Sequence, residues 1–264
     1  MLYDRVNYTA DISYLTNVFI YEYDISKCNI NILYTKNVID KATYDYLYEA
    51  PRMTRQVYVG KLCRDENVSN ILKAGIIEAK KVFFEANNIQ DRDVLSIKND
   101  AVFLIGKKVR YTEFGLIKFV VKNIYTSFYK FSNMEFYYYY SNATKEEYLD
   151  VKGISDENLK LHEEFFIQLL KDLFYSIQIN GPEISMRMLK DSYIEYISLK
   201  MPIEYYRCFN TQSIYHFNFK CGTTGYSINN VTESYKSMID ITFNLSILIE
   251  IQKILVSQYF NKYK

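Results

Sequence analysis

Two carboxylates stand out by where they fall in the chain. Asp24 closes an apolar, strand-like run, Val18-Phe19-Ile20-Tyr21-Glu22-Tyr23, and Asp100 sits in the polar break between Val94-Leu95-Ser96-Ile97 and Ala101-Val102-Phe103-Leu104-Ile105. An acid at the end of an apolar segment is badly solvated unless it is exposed or meets a cation. If the two segments are neighbouring strands, both acids lie at one end of the sheet. They would then suit Mg²⁺, a hard cation that takes carboxylate oxygens and keeps several waters. A pair of such ions can activate an attacking hydroxyl and stabilise a leaving pyrophosphate. The same residues admit a plainer account, with Asp24 as a helix N-cap and Asp100 as a turn former.

Other chemistries are poorly served. The histidines are His162 and His216, and no G-x-S-x-G elbow accompanies them. Cys28, Cys63, Cys208 and Cys221 include no C-x-x-C pair, so they read as free thiols in a reducing cytoplasm rather than zinc ligands. Lys+Arg 32 against Asp+Glu 31 over 264 residues excludes a strongly basic nucleic-acid coat, though not a locally basic groove. No apolar run reaches the roughly 20 residues of a membrane span, so no membrane role is expected. The N-terminus carries Asp4 and no apolar core of a signal peptide, and a cytoplasmic location is expected. The sequons at Asn7, Asn67, Asn142, Asn230 and Asn244 are then chance matches. The 28 Tyr and 17 Phe, with no Trp and abundant Asn, Ile and Lys, suggest an A/T-rich genome such as a phage's. Tyr138-Tyr139-Tyr140 reads as strand plus codon bias, with a base-stacking platform as the alternative.

The elements that must position these residues follow from periodicity. Residues 18–23 alternate as a strand ended by Asp24, and a short helix runs from Ser26 towards Leu33. A second helix, about 39–49, is capped by Asp40 and stopped by Pro51. Leu72, Ile76, Ala79 and Phe83 mark a helix over 68–88. Lys98-Asn99-Asp100 turns a hairpin, and further strands are expected at 109–111, 116–124 and 134–140. After about 155 the pattern becomes helical. His162, Phe166, Leu169 and Leu173 stripe one helix over 157–178, and Met186, Leu189, Tyr193 and Tyr196 stripe the next. Residues 203–230 read as irregular and 240–260 as a last helix. The expected class is α+β, an antiparallel sheet with packed helices followed by a mainly helical region.

The order strand–Asp24–helix, then a long helix, then hairpin–Asp100 resembles the palm of template-directed polymerases, particularly family B DNA polymerases. Their first motif, D-x-x-S-L-Y-P, has its counterpart in Asp24-Ile25-Ser26-Lys27-Cys28-Asn29, and their D-T-D-S hairpin in Lys98-Asn99-Asp100-Ala101. Tyr148-Leu149-Asp150-Val151-Lys152-Gly153-Ile154 is similar to the stretch where palm passes to thumb. The resemblance covers roughly 18–35 and 70–178. It implies a palm-like domain over 1–154 with reduced fingers at about 35–70, and a thumb-like domain over 155–264. It implies Asp24 and Asp100 as catalytic metal ligands for Mg²⁺, or Mn²⁺ in its place, and Lys152, with Lys98, as a nucleic-acid contact. Lys98 replaces the first acid of D-T-D, and Asn29 stands where the family has a tyrosine beside the sugar. The nucleotide-binding motif K-x-x-x-N-S-x-Y-G does not occur. Arg52, Arg55 and Lys61 are its best substitutes for gripping a triphosphate, with a solvated basic loop as the alternative.

The leading expectation is thus a template-directed nucleotidyltransferase, a palm and thumb module or split subunit of a DNA polymerase. It would extend a 3′ end on a DNA or DNA/RNA primer-template from a nucleoside triphosphate, beside other protein subunits. One alternative is a catalytically inactive polymerase-like subunit that binds nucleic acid or a partner polymerase chain. The other is a structural or interaction protein with no nucleic-acid role.

Overall fold

The computed structural model describes residues 1–131, 134–153, 164–198, 200–201, 217–221, 224–228 and 233–262. The fold is α+β, as expected. It divides into two compact units, Met1–Ile12 with Val18–Tyr125, and Ser13–Asn17 with Thr126–Lys264.

In the first unit, β1 (Asn7–Thr9), β3 (Val94–Lys98), β4 (Ala101–Ile105), β2 (Tyr14–Ile25) and β6 (Ile117–Phe131) follow one another in the strand order. β1 pairs antiparallel with β3, β3 with β4, and β4 with β2. β2 thus starts four residues earlier than the apolar run at 18–23, and Asp24 lies inside it. Tyr23, Ile25, Val102 and Leu104 point to one face, where α1 (Cys28–Thr35) and α4 (Glu66–Ala86) bury Ile30, Ile32, Leu33, Leu72, Ile76 and Phe83. Leu72, Ile76 and Phe83 are stripe residues of α4, a helix that presents one apolar side.

Local chemistry sets the connections. α2 (Lys41–Glu49) begins at Asp40, whose carboxylate accepts from the Thr43 backbone N–H. α2 stops ahead of Pro51, as expected, but this residue does not end helical structure. It caps α3 (Arg52–Leu62), because a proline at a helix start gives up only a donor that has no intrahelical partner. The basic segment, for which a solvated loop was the alternative, is therefore a helix. Residues 109–111 form no strand: Val109 N–H donates to the Tyr23 hydroxyl, and Arg110 and Tyr111 N–H donate to Asn87 Oδ1. Side chains satisfy that backbone where a ladder was expected. A short β5 (Glu113–Phe114) pairs with β6 instead.

In the second unit, β6 pairs with β7 (Met134–Tyr140), and β7 with β8 (Glu147–Lys152). Tyr129, Phe131, Phe136 and Tyr138 pack with Leu170, Leu173 and Phe174 of α5 (Glu164–Asn180), and Leu189 of α6 (Pro182–Ile197) joins them. Tyr129 stacks on Phe174 at 4.1 Å. Tyr138 is buried in this core, and Tyr139 stacks across the ladder on Tyr148 at 4.8 Å. A hairpin of β9 (Phe217–Cys221) and β10 (Thr224–Ile228) interrupts the segment read as irregular, and α7 (Glu233–Lys262) extends the expected last helix at both ends. His162, Cys208 and His216 lie outside the described residues. Among the described residues, no helix is long and apolar enough to cross a membrane.

Candidate functional site

The β2–β4 register brings the two aspartates together. Asp24 lies opposite Ala101, so Asp100 is one residue from facing it across strands about 4.8 Å apart. Asp100 belongs to a two-residue turn in which Asn99 takes a left-handed conformation, φ 56°. Asn tolerates that geometry, which tight hairpins require. Both carboxyls lie above the ordinary carboxylate range. Burial is the main cause for Asp24, and the charge of Asp100 adds to it. Burial also raises Asp100, against the hydrogen bonds it accepts from its own backbone and from the Cys28 thiol. The buried Cys28 thiol is pushed well up by burial and by these two acids.

Both aspartates line a cavity of about 360 Å³ together with Lys27, Cys28, Asn29, Arg52, Arg55 and Gln56. Arg52, Arg55, Gln56 and Val59 fall at i, i+3, i+4 and i+7, so one face of α3 forms a wall of it. Arg55 donates to the Ala50 carbonyl at 2.7 Å, whereas Arg52 is exposed and has no ion pair among the described residues. The start of α1 forms another wall. Lys27 precedes it at φ 49°, reaching the Tyr48 carbonyl at 2.6 Å and lying over the Tyr48 ring. Buried Asn31 fixes this turn. It donates to the Ser26 carbonyl at 2.9 Å and accepts from the Tyr44 hydroxyl at 3.0 Å.

Five of the candidate residues therefore border one space: Asp24, Asp100, Asn29, Arg52 and Arg55. Lys61 does not join them. Nine residues beyond Arg52, it lies half a turn round α3, on the opposite face. Lys98 reaches towards β1 and contacts Thr9 Oγ1 at 3.0 Å. Lys152 belongs to the second unit and pairs with Asp150 at 2.6 Å.

Three neighbours escaped the sequence reading. Lys80, fully buried, donates to the carbonyls of Arg5 at 2.5 Å and Asn99 at 3.2 Å, beneath the turn that carries Asp100. Burial draws its ammonium down. A lysine inside the buried stripe of α4, four residues after Ile76, was the available signal. Glu22 and Lys122 adjoin Asp24 on the sheet: Lys122 Nζ lies 3.4 Å from Glu22 and 4.0 Å from Asp24. Alternation along β2 puts Glu22 and Asp24 on one face, which was legible, but their partner from β6 was not. Among the described residues, no three His, Cys, Asp or Glu side chains gather to hold a metal by themselves.

No curated protein matches this chain. The model of one family, described as the Bacteriophage PBS1 gene 130 protein, matches residues 1–257. A phage source accords with the composition noted above. With nearly the whole sequence matched, the chain belongs to the Bacteriophage PBS1 gene 130 protein family.

Proposed function

We propose that this protein is a template-directed nucleotidyltransferase module, which adds nucleotides to a nucleic-acid 3′ end. The observation that carries the reading is a single cavity with Asp24 and Asp100 on one wall and Arg52 and Arg55 on another. Paired acids facing cations is the charge pattern that a metal–triphosphate complex requires. The donor set fits Mg²⁺, or Mn²⁺. The two carboxyls are held above their ordinary range by burial and, for Asp24, by its neighbour's charge, a penalty that a cation would relieve. Mg²⁺ is commonly held by one or two carboxylates, with substrate phosphates and water completing its shell, so a third acid is not required. Held by Asp24 and Asp100, the metal would favour ionisation of the primer hydroxyl and neutralise the departing pyrophosphate. Arg52 is exposed and has no ion pair among the described residues, and its planar fork suits phosphate oxygens. Arg55 is fixed to Ala50 and offers its remaining donors. The start of α1, which has no side-chain cap, adds partial positive charge to the same space. Lys152, in the second unit, is proposed as a backbone-phosphate contact.

The test is Mg²⁺-dependent nucleotide incorporation on a primed template. Asp24→Ala and Asp100→Ala should each lower incorporation by about two orders of magnitude or more, since each removes a metal ligand. Arg52→Ala should mainly raise KM for the nucleotide. Equal activity in wild type and both aspartate variants removes the site.

A second reading is an inactive polymerase-like subunit that binds nucleic acid or a partner polymerase chain. It is favoured by Lys98 in the place of an acid and by Lys122 beside Asp24. Here wild type incorporates nothing, yet salt-dependent binding to nucleic acid survives both aspartate substitutions.

A further inference from the structure

The sheet face that carries Asp24 already holds a cation of its own. Glu22 is almost completely buried, and its Oε2 is occupied by the Tyr125 hydroxyl at 2.7 Å and Asn123 Nδ2 at 2.8 Å. Its other oxygen, Oε1, faces Lys122 Nζ at 3.4 Å, and the same ammonium stands 4.0 Å from Asp24 Oδ2. Glu22 is fixed while Lys122 is half exposed, with side-chain accessibilities of 2% and 50%. A lysine ammonium on a flexible four-carbon stem can leave such a position without unfolding anything.

We infer that Lys122 is a resident counter-ion that competes with divalent metal for the acidic end of β2, so that metal loads only when this ammonium moves away. The inference rests on Asp24 being a metal ligand, as proposed above. It extends that reading by naming what sets the site's metal affinity. Since no third His, Cys, Asp or Glu side chain joins the pair to hold a metal among the described residues, the metal is held by few ligands and one added positive charge weighs heavily. A unit charge 4 Å away, screened as in bulk water, changes an affinity by about fivefold, and more where solvent is partly excluded.

The experiment titrates Mn²⁺ into the full chain, with free Mn²⁺ followed by electron paramagnetic resonance. Wild type, Lys122→Gln, Lys122→Arg and the double variant Asp24→Asn/Lys122→Gln are compared at low salt. Lys122→Gln should tighten Mn²⁺ binding by about fivefold or more, an advantage that shrinks as salt rises. Lys122→Arg keeps the charge and should bind as wild type does, which a purely structural role for the lysine would not predict. The double variant should lose the gain. Unchanged or weaker Mn²⁺ affinity in Lys122→Gln overturns the inference. If the double variant still loses binding in that case, the metal site itself survives. Absence of Mn²⁺ binding in every variant, Lys122→Gln included, overturns both.

Discussion

Gly75 decides how closely α1 can approach α4, and therefore where the start of α1 stands in the cavity wall. A Cβ added at Gly75 would lie 2.3 Å from Ile32 Cγ2, with Ile32 Cβ and Cδ1 at 3.4 Å. Carbon atoms in contact sit at about 3.5–4.0 Å, so the overlap exceeds about 1 Å. Cγ2 branches directly from Cβ and moves only if Ile32 leaves its χ1 well. Overpacking of this kind costs about 1–3 kcal/mol, and alanine's better helix propensity returns about 1. A cavity of about 180 Å³ bordered by Ile32, Gly75 and Ala79 gives some room to relax. Gly75→Ala alone should therefore lose about 0–2 kcal/mol, and the decisive measurement is a double-mutant cycle. Ile32→Ala in the native background should cost about 2–5 kcal/mol. In the Gly75→Ala background the new methyl occupies part of the hole, and that cost should fall by about 1–3 kcal/mol. Urea unfolding followed by circular dichroism reads all four proteins, since the chain has no tryptophan. Additivity within about 0.5 kcal/mol, or a Gly75→Ala variant stabilised by its full propensity gain, would refute the close contact.

Lys80→Met should lower stability by about 1–3 kcal/mol in the same assay, because it removes the charged donor that serves the carbonyls of Arg5 and Asn99; an unchanged midpoint would show that they find another partner. For metal-free protein, the raised carboxyls of Asp24 and Asp100 mean that the folded state holds their protons more tightly than the unfolded chain. Their contribution therefore falls as pH rises from about 3.9, the unfolded value, through the higher folded values, and stays unfavourable above them. Asp24→Asn should accordingly melt higher than wild type at pH 7, with the difference closing towards pH 4; a lower melting temperature at pH 7 would contradict the sign.

Much of this site could be read along the chain because short-range chemistry marks it. Asn and Asp between two apolar runs specified the β3–β4 turn, and the strand register followed from the hairpin. Asp40 announced α2 by its capping role. The rest depended on partners distant in sequence. Nothing near Lys122 says that it will meet Glu22, a hundred residues away, since that contact exists only once β6 is placed. α3 was missed because proline signals both helix ends and helix starts, and the segment after Pro51 has a weak apolar stripe. Once Arg52–Leu62 is helical, its spacing alone separates Arg52 and Arg55 from Lys61.

Four acids of the first unit are shifted in opposite directions, and the contrast bears on function. Asp40 caps a helix and Asp93 holds Lys107 at 2.7 Å, and both carboxyls are drawn below their ordinary range. For Asp40 the Thr43 hydrogen bonds do this. For Asp93, Lys107 and the Gln90 backbone outweigh burial. These are acids placed where they stabilise the fold. Asp24 and Asp100 are placed where they oppose it, beside a left-handed Lys27 and a buried Lys80. Local rules are broken several times around one cavity, which is the pattern of a site shaped by something other than stability. A chain with no ligand there would gain stability from asparagine at either position. The active reading keeps them for a divalent cation and the inactive one does without them, and the two part on whether a wild-type chain loaded with metal extends a primer.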